Sequence, residues 1–174
     1  MTATHTPAIT SNIEAGRTLV LERTFKAPRA LIYAAFSQAE HLRHWWAPQG
    51  WEIPHCTVDF RPEGKWHYCM KCVDPAQGDF YGMDSWGLGI YRDIQAPERI
   101  VYTDYFSDAD AGINPDLPST LSTLTFEEVP GGTRVINRAE YNSEGALQTV
   151  LDMGMLQGIS QTWDRLAEYL STQG

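Results

Sequence analysis

The stretch EGALQTVLDMGMLQGISQTWDRLAEYLS, residues 144–171, decides the fold. Its residues Leu147, Leu151, Met155, Ile159, Trp163, Leu166 and Leu170 recur at steps of four, four, four, four, three and four, which lays one apolar stripe along a helix. The spacing predicts a single long helix over Glu144–Ser171. Such a stripe must be buried against a second layer, and the rest of the chain has to supply it.

That layer lies immediately upstream, where everything from Trp51 to Tyr141 reads as strands and turns. Trp51–Phe60 closes at Arg61-Pro62-Glu63-Gly64, and Lys65–Val73 closes at Asp74-Pro75-Ala76-Gln77-Gly78, with Pro and Gly at turn positions. Phe80–Ile94 is a long run containing Gly82, Gly87 and Gly89, which points to bulges or a strong bend. Arg99–Phe106 and Leu121–Glu128 follow, and Pro130-Gly131-Gly132 makes a hairpin into Thr133–Tyr141.

Before these strands, Leu19, Leu21 and Phe25 alternate along a run that begins at Arg17. Pro28 suits the first turn of a helix carrying Leu31, Ile32, Ala35 and Phe36, and a second short helix from near Gln38 carries Leu42, Trp45 and Trp46 up to Pro48. Residues 1–16, rich in Thr, Ser, Pro and Ala, are expected to be a flexible leader, leaving residues 17–172 as one domain. The fold class is α+β: a curved antiparallel sheet whose apolar face is covered by the final helix.

Composition narrows the function. The 174 residues hold 13 Lys and Arg against 22 Asp and Glu, a net charge of −9, which repels nucleic-acid phosphates and anionic lipid. No apolar run approaches the roughly 20 residues of a membrane span, and the polar start lacks the basic and apolar regions of a secretory signal. Three cysteines make no disulfide framework, so a cytoplasmic setting is expected.

Cys69-Met70-Lys71-Cys72 has the spacing of a zinc or redox motif, but positions three apart in a strand point to opposite faces. No metal and no cofactor are therefore expected. Of the five histidines, His41 and His44 share a helix face, and neither they nor His5, His55 and His67 sit in a nucleophile or zinc-binding motif, so no catalytic residue is assigned. The densest constellation is aromatic. Trp66, Tyr68, Met70 and Cys72 share one face of their strand, Trp86, Leu88 and Ile90 share a face of the next, and Ile100, Tyr102, Asp104 and Phe106 form a third set. Taken singly, each ring is ordinary core. Together they carry more hydroxyl and indole N–H groups than a dry core accommodates, which suggests a wet or ligand-filled space.

Several segments resemble a known family. His44-Trp45-Trp46-Ala47-Pro48 resembles the paired-tryptophan and proline signature of the family related to the activator of heat-shock protein 90 ATPase. Asp59-Phe60-Arg61-Pro62-Glu63-Gly64-Lys65-Trp66 resembles its arginine–proline–glycine turn, with Glu63 in place of a glycine. Pro97–Tyr102, Gly131-Gly132-Thr133-Arg134 and the closing Trp163–Leu170 are similar to three further landmarks, in order. Many members carry Gly-Trp near the start of the closing helix, where this chain has Gly158-Ile159. The resemblance implies the helix-grip fold of the START and birch-pollen-allergen-like superfamily, with a cavity between sheet and long helix.

The cavity so implied would be lined by Trp46, Trp66, Tyr68, Met70, Trp86 and Tyr102, with Met155 and Ile159 from the helix. Asp104 and Arg138 would supply polar contacts, with Glu140 a further candidate, and a surface ion pair between Arg138 and an acid stays open as an equal alternative. The leading expectation is a binding protein for an apolar or aromatic small molecule. An enzyme of cyclase, dehydratase or hydrolase type on the same cavity stays open and would need a titratable group with a shifted pKa inside it. A chaperone-cofactor-like interaction protein also stays open, which leaves a chaperone and a second copy in a homodimer as candidate partners.

Overall fold

Periodicity two dominates the chain between its first and last helices, and the computed structural model, which describes residues 9–173, turns it into one sheet. The strands are β1 (Thr10–Glu14), β2 (Thr18–Phe25), β3 (Trp51–Val58), β4 (Lys65–Cys72), β5 (Asp84–Gln95), β6 (Arg99–Ser107), β7 (Thr120–Val129) and β8 (Gly132–Glu140). The helices are α1 (Arg29–Ser37), α2 (Ala39–Trp45), α3 (Glu144–Asp152) and α4 (Met155–Ser171). The sheet is antiparallel throughout, in the order β1-β2-β8-β7-β6-β5-β4-β3. Sequential strands pair as hairpins, and the one long connection carries α1 and α2 from β2 to the far edge. This is the helix-grip arrangement.

Two expectations are corrected. The leader is partly structured: Thr10–Glu14 pairs with β2 from Thr10 opposite Glu22 to Glu14 opposite Thr18, through a turn at Ala15-Gly16. Its side chains are mostly exposed, so the sequence carries no apolar alternation that would reveal a strand. Residues 1–8 lie outside the described residues. The closing helix is also two helices. Gly154 takes the left-handed conformation at φ 84° and separates α3 from α4. Glycine adopts that conformation without the steric cost of a Cβ.

The core forms where the inner sheet face meets α1, α2 and α4. Leu19, Leu21 and Phe25 of β2, Ile32 and Phe36 of α1, Leu42 and Trp45 of α2, and Trp163 and Leu166 of α4 are buried in one cluster. Trp163 is 1% exposed and packs against Phe25 and Phe36 at ring distances of 5.9 and 6.4 Å. The two residues that follow it explain the closing motif. Asp164 accepts a 2.6 Å hydrogen bond from the otherwise buried Arg23 of β2. The Arg165 guanidinium donates to the carbonyls of Ala47, Pro48 and Trp51, which staples the loop after α2 to α4.

Candidate functional site

The stapled loop forms one wall of a cavity of about 760 Å³. Adjacent tryptophans divide the work there. Trp45 is fully buried and donates its indole N–H to the Ala35 carbonyl at 3.0 Å, whereas Trp46 faces the cavity. The floor is the inner sheet face, and the opposite wall is α4 through Met155, Gly158, Ile159 and Thr162. These four positions lie on one stripe of a 3.6-residue helix.

Strand register decides which predicted residues reach this space. Tyr68 of β4 stands opposite Gly87 of β5, and Gly87 stands opposite Phe106 of β6. A Cβ on Gly87 would come within 2.2 Å of the Tyr68 ring, so the missing side chain is what lets that ring lie across β5. Its hydroxyl thereby reaches Asp104 of β6 and donates to Oδ1 at 3.3 Å. Gly89 performs a similar service for Trp66 and Tyr102, whose rings lie 3.3 Å from where its Cβ would be. The glycines read from sequence as marks of a bend are a notch beneath aromatic rings.

Of the ten expected ligand contacts, Trp46, Tyr68, Met70, Tyr102, Asp104, Met155 and Ile159 line the cavity. Trp66 lies just behind them, buried and packed against Trp46, Tyr68 and Tyr102 at ring distances of 4.7, 4.9 and 5.7 Å. Trp86 and Arg138 do not belong to the site. Trp86 pairs with Cys69, on the outer parity of β4, and stacks on His67 outside the sheet at 5.0 Å. Arg138 also points outward and pairs with Glu14 of β1. Glu140 is exposed and does not line the cavity. Arg138 and Glu140 alternate on β8 with the inward Asn137 and Ala139, and the Trp86 error has its own reason. Alternation separates the two faces of a strand, but ring size was a poor guide to which face is inner: the inner positions of β5 hold Ser85, Gly87 and Gly89, and the outer face carries its own aromatic cluster of His55, His67 and Trp86. Cys69 and Cys72 do emerge on opposite faces, Cys69 beside Trp86 and Cys72 beside Trp51 and Gln77.

Sequence reading missed much of the polar lining. Thr120 and Ser122 of β7 stand beside Asp104 and Tyr102, with Asn137 and Tyr141 farther along the floor. Strict alternation along β7 and β8 from the buried Leu124 and Val135 would have placed them. At the rim the Gln161 side chain accepts from the Gln49 backbone N–H, and Gln77 donates to the Gln49 carbonyl while accepting from the Trp51 indole. Two cavity-wall atoms, Trp46 Nε1 and Asn137 Oδ1, are buried without a well-formed hydrogen bond among the described residues.

Electrostatics concentrate on Asp104. Burial pushes its carboxyl up to about 7, against a smaller downward pull from the Tyr68 hydrogen bond. Burial and the adjacent Asp104 raise the Tyr68 and Tyr102 hydroxyls as well, so both stay protonated at neutral pH. The cavity thus offers an apolar body, several hydroxyls and one carboxyl poised to gain or lose a proton near neutrality.

The architecture has close relatives among solved structures. Protein Ms6760 from Mycobacterium smegmatis is 29% identical, with a TM-score of 0.81 over 93% of this chain and 96% of its own. A protein from Staphylococcus epidermidis is 28% identical, with a TM-score of 0.76 over 95% of both chains. A protein from Arthrobacter aurescens, at 23% identity, shares the fold with a TM-score of 0.84 over 95% of this chain and 93% of its own. No curated protein matches the chain. The family described as activator of Hsp90 ATPase homolog 1-like protein matches residues 26–171, from the end of β2 through the whole of α4, and the chain belongs to that family.

Proposed function

We propose that this protein binds a small apolar or aromatic molecule in the cavity between the sheet and α4. The carrying observation is a cavity of about 760 Å³ with aromatic and aliphatic walls, in which two buried polar atoms lack a well-formed hydrogen bond among the described residues. That volume lies within the range of ligand pockets, roughly 300–1,000 Å³. Unpaired buried polar atoms are costly unless water or a guest meets them. The three free cysteines are in keeping with a cytoplasmic setting, and among the described residues no helix is long and apolar enough to cross a membrane.

Trp46 and Trp66 give a direct assay, because a guest against the first and near the second changes indole emission. Saturable quenching by an aromatic guest is the expected result, with the guest recovered chemically unchanged. A guest returned as product would transfer the reading to catalysis on the same cavity. Absence of saturable binding across apolar and aromatic probes would overturn it.

A protein partner is the second reading, and a specific surface supports it. Phe80, Tyr81 and Met83 are 53%, 58% and 46% exposed beside the rim. Such a cluster is a candidate contact face for a partner such as a chaperone. Alanine at Tyr81 and Met83, neither of which lines the cavity, should abolish co-sedimentation with that partner while leaving cavity binding in place.

A further inference from the structure

Among the described residues lining the cavity there is no Lys, Arg or His, and the acids are Asp74 near the rim and Asp104 on the floor. Among the described residues, the only hydrogen bond the Asp104 carboxyl receives is the 3.3 Å donation from Tyr68, so it is left able to accept another. Farther across the floor, Asn137 Oδ1 is a second acceptor that no donor among the described residues meets. Rings of Trp46, Tyr68 and Tyr102 surround the same end of the cavity. A carboxylate in a cavity lined by aromatic side chains, with no competing protein cation, is an environment that favours an organic ammonium. The net charge of −9 attracts cations and repels carboxylate or phosphate ligands.

Building on the small-molecule reading above, we propose that the cavity selects an amine: an apolar or aromatic molecule whose protonated nitrogen pairs with Asp104 inside the cage of Trp46, Tyr68 and Tyr102. The ammonium supplies the donors that Asp104 lacks. Trp46 Nε1, a buried donor without a well-formed hydrogen bond among the described residues, can donate to an oxygen elsewhere on the same molecule, such as a hydroxyl or ether. A free carboxylate or phosphate ester finds no counter-ion in this site and would lie against a buried acid, which disfavours it.

Proton linkage gives the proposal a sign. The ligand-free carboxyl titrates near pH 7, and an ammonium pairs with its ionised form. The other groups around it do not blur the profile. Tyr68 from β4, Tyr102 from β6 and Tyr141 after β8 all titrate above their ordinary range, and the α4 residues facing the cavity are uncharged. Affinity for an amine therefore rises as pH increases from about 6 to about 8, by about tenfold as Asp104 ionises. A neutral guest that accepts a hydrogen bond from protonated Asp104 shows the opposite slope.

The test is calorimetric titration of the intact protein with three probes sharing one ring: naphthylmethylamine, naphthylmethanol and naphthoate. The amine should bind about tenfold more tightly than the alcohol near pH 8, the naphthoate least, and only the amine should show the rising profile. Near pH 6 its binding should release protons, seen as a dependence of the measured heat on buffer. Asp104→Asn should remove the preference for amine over alcohol, both measured on that variant, and flatten the amine's pH profile. The wild-type pH profile stands alone if that variant folds poorly. Equal affinity for amine and alcohol, or an amine profile that falls with pH, overturns amine selection and leaves small-molecule binding standing. Failure of all three probes to bind overturns both proposals.

Discussion

At the residue scale, Asp104 and Gly87 carry the clearest consequences. An ordinary aspartate titrates near 3.9, and Asp104 in the folded protein near 7. Between those values the folded state holds a proton that the unfolded state has released, so its stability falls as pH rises through this window. Below it both states are protonated and the residue contributes no slope. The full difference sets a ceiling of about 4 kcal/mol, and contact of the carboxyl with the cavity's water makes the real loss smaller. Asp104→Asn should therefore stabilise the ligand-free protein near pH 8 and change little near pH 4, as checked by urea unfolding at both pH values. Gly87→Ala tests the notch. Its Cβ falls 2.2 Å from Tyr68 Cζ, so the ring must move off Asp104. A loss of about 1–3 kcal/mol is expected, together with an upward shift of the Asp104 titration followed by carboxyl NMR.

At the scale of elements, α4 combines an anchored end and an open one. Trp163, Leu166 and Leu170 are buried, while Met155, Gly158 and Ile159 border the cavity. Trp163→Ala should cost about 3–5 kcal/mol, measured by chemical denaturation, because the indole is 1% exposed and closes against Phe25 and Phe36. Gly158 behaves oppositely. A Cβ there would meet nothing within 4 Å, and glycine is a poor residue for a helix interior. Gly158→Leu should keep or raise stability, by up to about 1 kcal/mol, while narrowing the cavity beside α4 and weakening binding in the Trp-quenching assay. The break at Gly154 follows from the same chemistry. A sequence can carry the right apolar spacing through a residue whose backbone then turns out of the helix.

At the scale of the whole molecule, β1 covers the edge of β2 and leaves β3 and β1 as the borders of the open sheet. A chain beginning at Arg17 would bare the β2 edge, which is flanked by the buried Leu19 and Leu21. Such an edge is a template for pairing with another chain. That truncation should lower stability and increase association, visible as a concentration-dependent rise in apparent mass by light scattering.

What the amino-acid sequence determined by itself was everything set by local period: six strands in order between Trp51 and Tyr141, helices after Pro28 and near Gln38, a closing apolar stripe, and hence an antiparallel sheet covered by the final helix, while the family landmarks are what implied the helix grip. These rest on neighbours within a few residues, where side-chain direction follows directly from backbone geometry. Only the tertiary structure decided which parity of β5 faces inward, because that depends on the pairing of β5 with β4 and β6. Trp86, read as lining the cavity, therefore proved to stand on the outer face, and Arg138 was found beside Glu14 of a strand that exposed polar residues had concealed. The same long-range register laid Tyr68 across Gly87 onto Asp104. The acid gained its shifted titration there, since burial, which no local pattern encodes, is what sets it.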